Sequence, residues 1–123
     1  MKIEVSNGEI VDKYTILKIK LNKAAPMSRQ YFNIYEEYTA LQSAIKFLNI
    51  EENDIESLFK INKKLWDIED SIRLLENKKQ FDNSFIELAR SVYMTNDERF
   101  NIKKKINELS KSGIKEEKIH PEY

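Results

Sequence analysis

The chain has 123 residues with 21 basic and 21 acidic side chains, one histidine and no cysteine. Balanced charge gives no global attraction to nucleic acid or to an acidic membrane, and the lack of cysteine excludes disulfides and thiolate metal sites and fits a reducing compartment. No apolar run nears the ~20 residues that span a bilayer, and Met1–Val5 lacks the apolar core of a signal peptide, so one soluble, cytoplasmic domain with no membrane insertion is expected.

Ile3 and Val5 alternate with charged residues, as in a short strand or an extended arm. Ser6 with Glu9 three residues later is a capping-box pattern. It opens a first helix from about Glu9 to Lys23, within an N-terminal segment 1–25. Ile10, Tyr14, Leu17 and Leu21 form the apolar stripe of that helix. Pro26 forces Ala25 out of helical geometry and ends it. Ser28 caps a second helix in segment 28–50, with the stripe Tyr31, Ile34, Tyr38, Leu41, Ile45 and Leu48. Asn49 to Asp54 reads as a turn, and Asn53 or Asp54 caps a third helix. That helix has the stripe Leu58, Ile61, Leu65, Ile68, Ile72 and Leu75. Asn77 to Asn83 is a connection, and Asp82 or Asn83 caps a fourth helix. Its stripe runs Phe85, Leu88, Val92, Thr95, Arg99, Ile102, Ile106 and Leu109. Ser112-Gly113 is a C-terminal stop, and residues 112–123 form a charged tail that either docks or frays.

Between Pro26 and Gly113 there is no glycine or proline, the two strongest helix breakers. The fold class is therefore all-α. Segment 54–111 reads as a long, coiled-coil-like antiparallel hairpin, with two N-terminal helices packed on it. Setting Leu75 opposite Phe85 brings the remaining layers into phase: Ile72 with Leu88, Ile68 with Val92, Leu65 with Thr95, Ile61 with Arg99, Leu58 with Ile102. Each arm is ~40 Å long, and Lys64 approaches Glu98 on one flank. A second row recurs every seven residues: Phe59 and Trp66 on the third helix, and Ile86, Tyr93 and Phe100 on the fourth. Such a strip is covered either by the N-terminal helices or by a partner, and it is the candidate interface.

Arg99 is the outstanding residue of the seam, with Thr95 beside it. A guanidinium there must be paired or must reach water. The register brings Glu69 and Asn96 to one flank, with Asn62 a turn away. Glu69 is the expected partner, with Glu36 or Glu37 of the second helix as alternatives. This layer of Arg99, Glu69, Asn96, Asn62 and Thr95 either sets register or forms a small anion-binding pocket. Asp67 and Asp70, and Glu51 and Asp54, have the spacing of magnesium-binding pairs. The first pair points away from the seam, however, and the second straddles a loop, so no metal and no cofactor is assigned. Lys103, Lys104 and Lys105 point in three directions and do not form a nucleic-acid patch. His120 lies alone in the tail, and two glycines cannot build a phosphate loop.

The stretches Gly8–Lys20, Asn62–Asp70 and Asn96–Lys103 resemble a family of small bacterial and phage proteins known only as domain of unknown function 6165. The resemblance implies no activity and no catalytic residue. It singles out Asn62, Trp66, Glu69, Asn96 and Arg99, and adds Glu9, Asp12 and Lys13 from the first helix. If that helix packs over the same flank, the three stretches meet. The function expected from these features is a protein-interaction or scaffolding module, self-associating as a homo-oligomer or binding a protein partner. The alternative is a small-molecule-binding protein or enzyme using the Arg99 layer, as in helical chorismate mutases or nucleotide pyrophosphohydrolases. The arginine series of the former is absent here.

Overall fold

The computed structural model describes all residues 1–123 and contains four helices: α1 (Asn7–Lys23), α2 (Arg29–Ile45), α3 (Glu52–Asn77) and α4 (Asn83–Leu109). Residues 1–5 are an exposed arm without strand pairing. Ser6, Ser28 and Asp82 cap their helices, each side-chain oxygen accepting from a backbone N–H of the first turn. Helix α3 starts two to three residues earlier than the cap candidates Asn53 and Asp54 predict. Its cap is Glu51, which makes no side-chain capping bond. Asp54 is free for another task, an ion pair with Lys105 at 2.9 Å.

Both arms of the hairpin end in the same turn. The N–H of Gln80 bonds to the carbonyl of Leu75, and that of Ser112 to the carbonyl of Asn107, both at 2.9 Å. The left-handed positions in these two turns are Lys79 and Lys111, each with φ 56°. The expected stop at Gly113 is thus taken two residues earlier, and Gly113 has no positive φ. A lysine can occupy such a position because the two carbonyl bonds of the turn offset its Cβ clash.

Helices α3 and α4 are antiparallel. The Asp54–Lys105 pair, and the shared partner of Asn62 and Arg99, fall within one residue of the register read from the apolar stripes. The expected Lys64–Glu98 pair is not formed; Lys63 instead pairs with Asp67 one turn along α3 at 2.7 Å. Helix α1 lies along the open end of the hairpin, parallel to α3 and antiparallel to α4. Val11, Leu58 and Ile106, one from each helix, form the core cluster, with Ile50, Ile55, Ile61 and Ile102 packed round it. Helix α2 folds back on α1 and touches no other helix, with Tyr14 stacked on Tyr38 at 5.0 Å and Lys13 paired with Glu37 at 2.9 Å.

Helix α1 therefore has two inner faces. Val11, Asp12, Thr15 and Ile19 are buried, as is Leu17 of the expected stripe, whereas Ile10, Tyr14 and Leu21 of that stripe are only half-buried. The stripe read from the sequence includes the side that meets α2. The side that meets the hairpin carries two polar residues and so escapes an apolar count.

The tail docks. Glu116 accepts from Ser6 Oγ and from Asn107 Nδ2 at 2.9 Å. Lys118 pairs with Asp97, and Tyr123 packs against Tyr93 at 5.1 Å. Beside this clasp, Gly8 donates its N–H to Asn107 Oδ1 at 2.7 Å. The capping box is only half made, since the Glu9 carboxylate turns away to Lys103 at 2.7 Å.

Replacing glycine by alanine in an exposed helix gains about 1 kcal/mol. At Gly8 the added Cβ would sit 2.8 Å from the Lys103 carbonyl oxygen and 2.9 Å from Asn107 Oδ1. Gly8→Ala is expected to lose about 1–3 kcal/mol, measured by urea unfolding; a stabilised variant would contradict this close approach. A second expectation concerns pH. Burial opposes the charge of Glu116, but hydrogen bonds from Ser6, its own backbone and Asn107, with the charge of Lys103, hold its carboxyl below the ordinary range. A carboxyl held low in the folded state adds stability above its ordinary value, and that stability is lost as pH falls through the folded value. The stability gap between wild type and Glu116→Gln should therefore be widest at neutral pH and close on acidification below the ordinary value of 4.5. A gap that does not change with pH would rule out the clasp.

Candidate functional site

Four side chains meet where α1 crosses the hairpin. Asp12 sits nearly two helical turns after the Ser6 cap, adjacent to Val11 and one turn before Thr15, so the packing that buries Val11 buries its carboxylate as well. Asp12 Oδ1 accepts from Arg99 Nε at 2.8 Å and from Asn62 Nδ2 at 2.9 Å. Asp12 Oδ2 accepts from Arg99 Nη2, which completes a two-pronged pair. Thr15 Oγ1 accepts from Asn62 Nδ2 at 2.9 Å and donates to the Asp12 carbonyl oxygen at 2.8 Å.

The Asp12 side chain is 2% exposed and that of Arg99 29%. The hydrogen bond to Asp12 raises the Arg99 guanidinium above its ordinary value; burial works against this, and the charges of Asp12 and Glu9 add to it. No buried side-chain nitrogen or oxygen lacks a partner. The network is closed, and most of the Arg99 charge is met by one carboxylate.

Of the layer expected from the sequence, Asn62 and Arg99 belong to this network. Asn96 Oδ1 lies 3.5 Å from Arg99 Nη1, and Thr95 is buried beside them in the seam. Glu69 is exposed and makes no ion pair with Arg99, nor does Glu36, and Glu37 is held by Lys13. The partner is Asp12, because α1 lies directly over Arg99 whereas Glu69 remains on the solvent flank of α3. Asp12 and Thr15 are the two residues the apolar stripe overlooked. The signal for them was present: two polar residues spaced i, i+3 on a helix face with Val11 and Ile19.

An open groove of about 450 Å³ adjoins the network, lined by Ile16, Asn62, Leu65, Trp66, Glu69, Asp70, Arg73, Asn96 and Arg99. The three stretches singled out in the sequence meet here, α1 forming one wall. Asn62, Asn96 and Arg99 give the floor hydrogen-bonding groups, and Trp66 offers a flat apolar wall. A second groove, about 670 Å³, runs between α4 and the tail, with Asn96 and Arg99 at its inner edge.

The aromatic strip is divided between two covers. Lys18 lies over Phe59 at 5.3 Å and Lys23 over Trp66 at 5.7 Å. Lys118 lies over Phe100 at 5.8 Å, and Tyr123 packs on Tyr93. The covers are thus α1 and the tail; α2 contributes none, and Ile86 remains half exposed. One member of each acidic pair with magnesium spacing is engaged elsewhere, Asp67 by Lys63 and Asp54 by Lys105. Lys103 and Lys105 also diverge, to Glu9 and to Asp54.

Removing one partner of a buried ion pair strands the other. Arg99→Leu is expected to cost about 3–5 kcal/mol, and the double change Asp12→Leu/Arg99→Leu to recover most of that loss. Urea unfolding of the single and double variants measures this; a harmless Arg99→Leu would mean that Asp12 finds water or another partner.

The chain matches no curated protein and no solved structure. A family model described as "Family of unknown function (DUF6165)" matches residues 1–121. With nearly its whole length covered, the chain belongs to that family.

Proposed function

We propose that this protein is an interaction or scaffolding module whose fold is completed against a second polypeptide. The observation that carries this reading is its surface. The chain exposes 8933 Å², where a compact monomer of this mass exposes about 6,900 Å². The excess, about 2,000 Å², is larger than the ~800 Å² that each partner contributes to an ordinary stable interface.

Two places contribute to it, beside the exposed arm at residues 1–5 and the tail. Beyond Ile68 on α3 and before Thr95 on α4 no residue is buried, so this half of the hairpin stands free of α1. Its end exposes Leu74, Phe81 and Ile86 by half or more. A helical arm of this kind gains stability by packing against another apolar face. The second place is α2, none of whose residues is buried. The polar network supplies register in this reading, because a buried pair with two prongs holds α1 at one rotation and one height on the hairpin.

The small-molecule reading rests on the groove beside Trp66, where Asn62, Asn96 and Arg99 converge. Against it stands the neutralisation of Arg99 by Asp12, which leaves little charge for an anion. Titration with inorganic phosphate while following Trp66 fluorescence separates the two readings. Scaffolding predicts no saturable change, and a saturable change lost in Asn96→Ala would favour the groove.

The direct test of the interaction reading is mass in solution, by sedimentation or light scattering, together with affinity capture. The expected result is a species above monomer mass, or a retained protein partner. A strict monomer that captures nothing would overturn the proposal.

A further inference from the structure

Helix α2 rests on α1, where Tyr38 stacks on Tyr14 and Ile34, Leu41 and Ile45 of the same side are half-buried, and it touches neither arm of the hairpin. Its outer side presents Phe32, 48% exposed, and Tyr35, 49% exposed. Arg29 and Glu36 flank this aromatic pair, seven residues apart and so on one side of the helix. Neither forms an ion pair within the chain, although Glu37 next to them does.

This arrangement is self-complementary. In a two-fold contact the same patch meets itself, so a residue and its counterpart are satisfied together. Antiparallel α2 helices with Phe32 of one copy over Tyr35 of the other bring each Arg29 within about half a turn of Glu36 on the opposite copy. Two ion pairs then bracket a cluster of four aromatic rings. A parallel arrangement would leave each Arg29 about 10 Å along the axis from Glu36 of the opposite copy, too far to pair. Aromatic anchors with charges at the rim are the usual composition of a binding patch. The formal net charge of zero leaves no overall repulsion between copies.

We infer that the outer face of α2, centred on Phe32 and Tyr35 and flanked by Arg29 and Glu36, is the face through which two copies of this chain associate, antiparallel and two-fold. This deepens the interaction reading by naming the occupant, a second copy, and the surface. It accounts for part of the excess area and leaves the free hairpin arm to other contacts.

The test is sedimentation equilibrium on the full-length protein and three variants, with helicity checked by circular dichroism. Wild type is expected to dimerise. Phe32→Ala and Arg29→Glu should each weaken association about tenfold or more, with helicity unchanged because both residues are exposed. The charge exchange Arg29→Glu/Glu36→Arg should restore it, since the pairs re-form with reversed sign. A dimer unaffected by Phe32→Ala and Arg29→Glu would overturn this face while leaving the interaction reading intact. A monomeric wild type that captures a different protein would do the same. A monomeric wild type that captures nothing would overturn both.

Discussion

The carboxylate of Asp12 is the point on which the arrangement of helices depends. A charge at 2% exposure is tolerable only where donors surround it, and its donors come from two other helices, Arg99 of α4 and Asn62 of α3. The three-way contact admits one rotation and one height of α1 on the hairpin. From that placement follow the approach of Gly8 to Asn107, the burial of Val11 between Leu58 and Ile106, and the positions of Lys18 and Lys23 over Phe59 and Trp66. Hydrophobic contact alone would let α1 slide by a turn at little cost; a buried two-pronged ion pair does not.

The consequence is an uneven molecule. The open end of the hairpin has a core of three helices, a closed polar network and a docked tail. The far end has only its own seam, with Leu74, Phe81 and Ile86 turned to solvent, and α2 is attached by one face. Local opening should be easiest at these two places, because few buried contacts resist it. They are also the places with apolar surface to offer. A rigid base that presents loosely held, amphipathic helices suits a protein that works by binding others or itself. Under the proposed interaction reading the polar network holds that base together, with Arg99 met by the Asp12 carboxylate of the same chain.

Much of this was legible in the sequence. The caps at Ser6, Ser28 and Asp82, the break at Pro26 and the apolar repeat of α3 and α4 are local signals, set by hydrogen bonding and sterics within a few residues. The antiparallel register could also be read, because two long heptad stripes mesh in few ways. That Arg99 needs a partner followed from its place in the seam. Glu9 was harder. Its capping-box spacing is real, but Lys103 offers a stronger, charge-assisted bond than the backbone N–H of Ser6. Gly113 was likewise a plausible stop, yet chain geometry put Lys111 in the left-handed position.

By itself the sequence determined four helices, their approximate ends and the hairpin that pairs the last two, since all of these rest on interactions between near neighbours or on a periodic pattern. Which carboxylate meets Arg99, which face of α1 turns inward and what covers the aromatic strip were decided only by the tertiary structure. Those outcomes depend on distances between segments some 50 to 90 residues apart, and several polar side chains of equal chemistry compete for each position. Spacing along one helix cannot rank Asp12 above Glu69; only the packing of a third helix over the seam does.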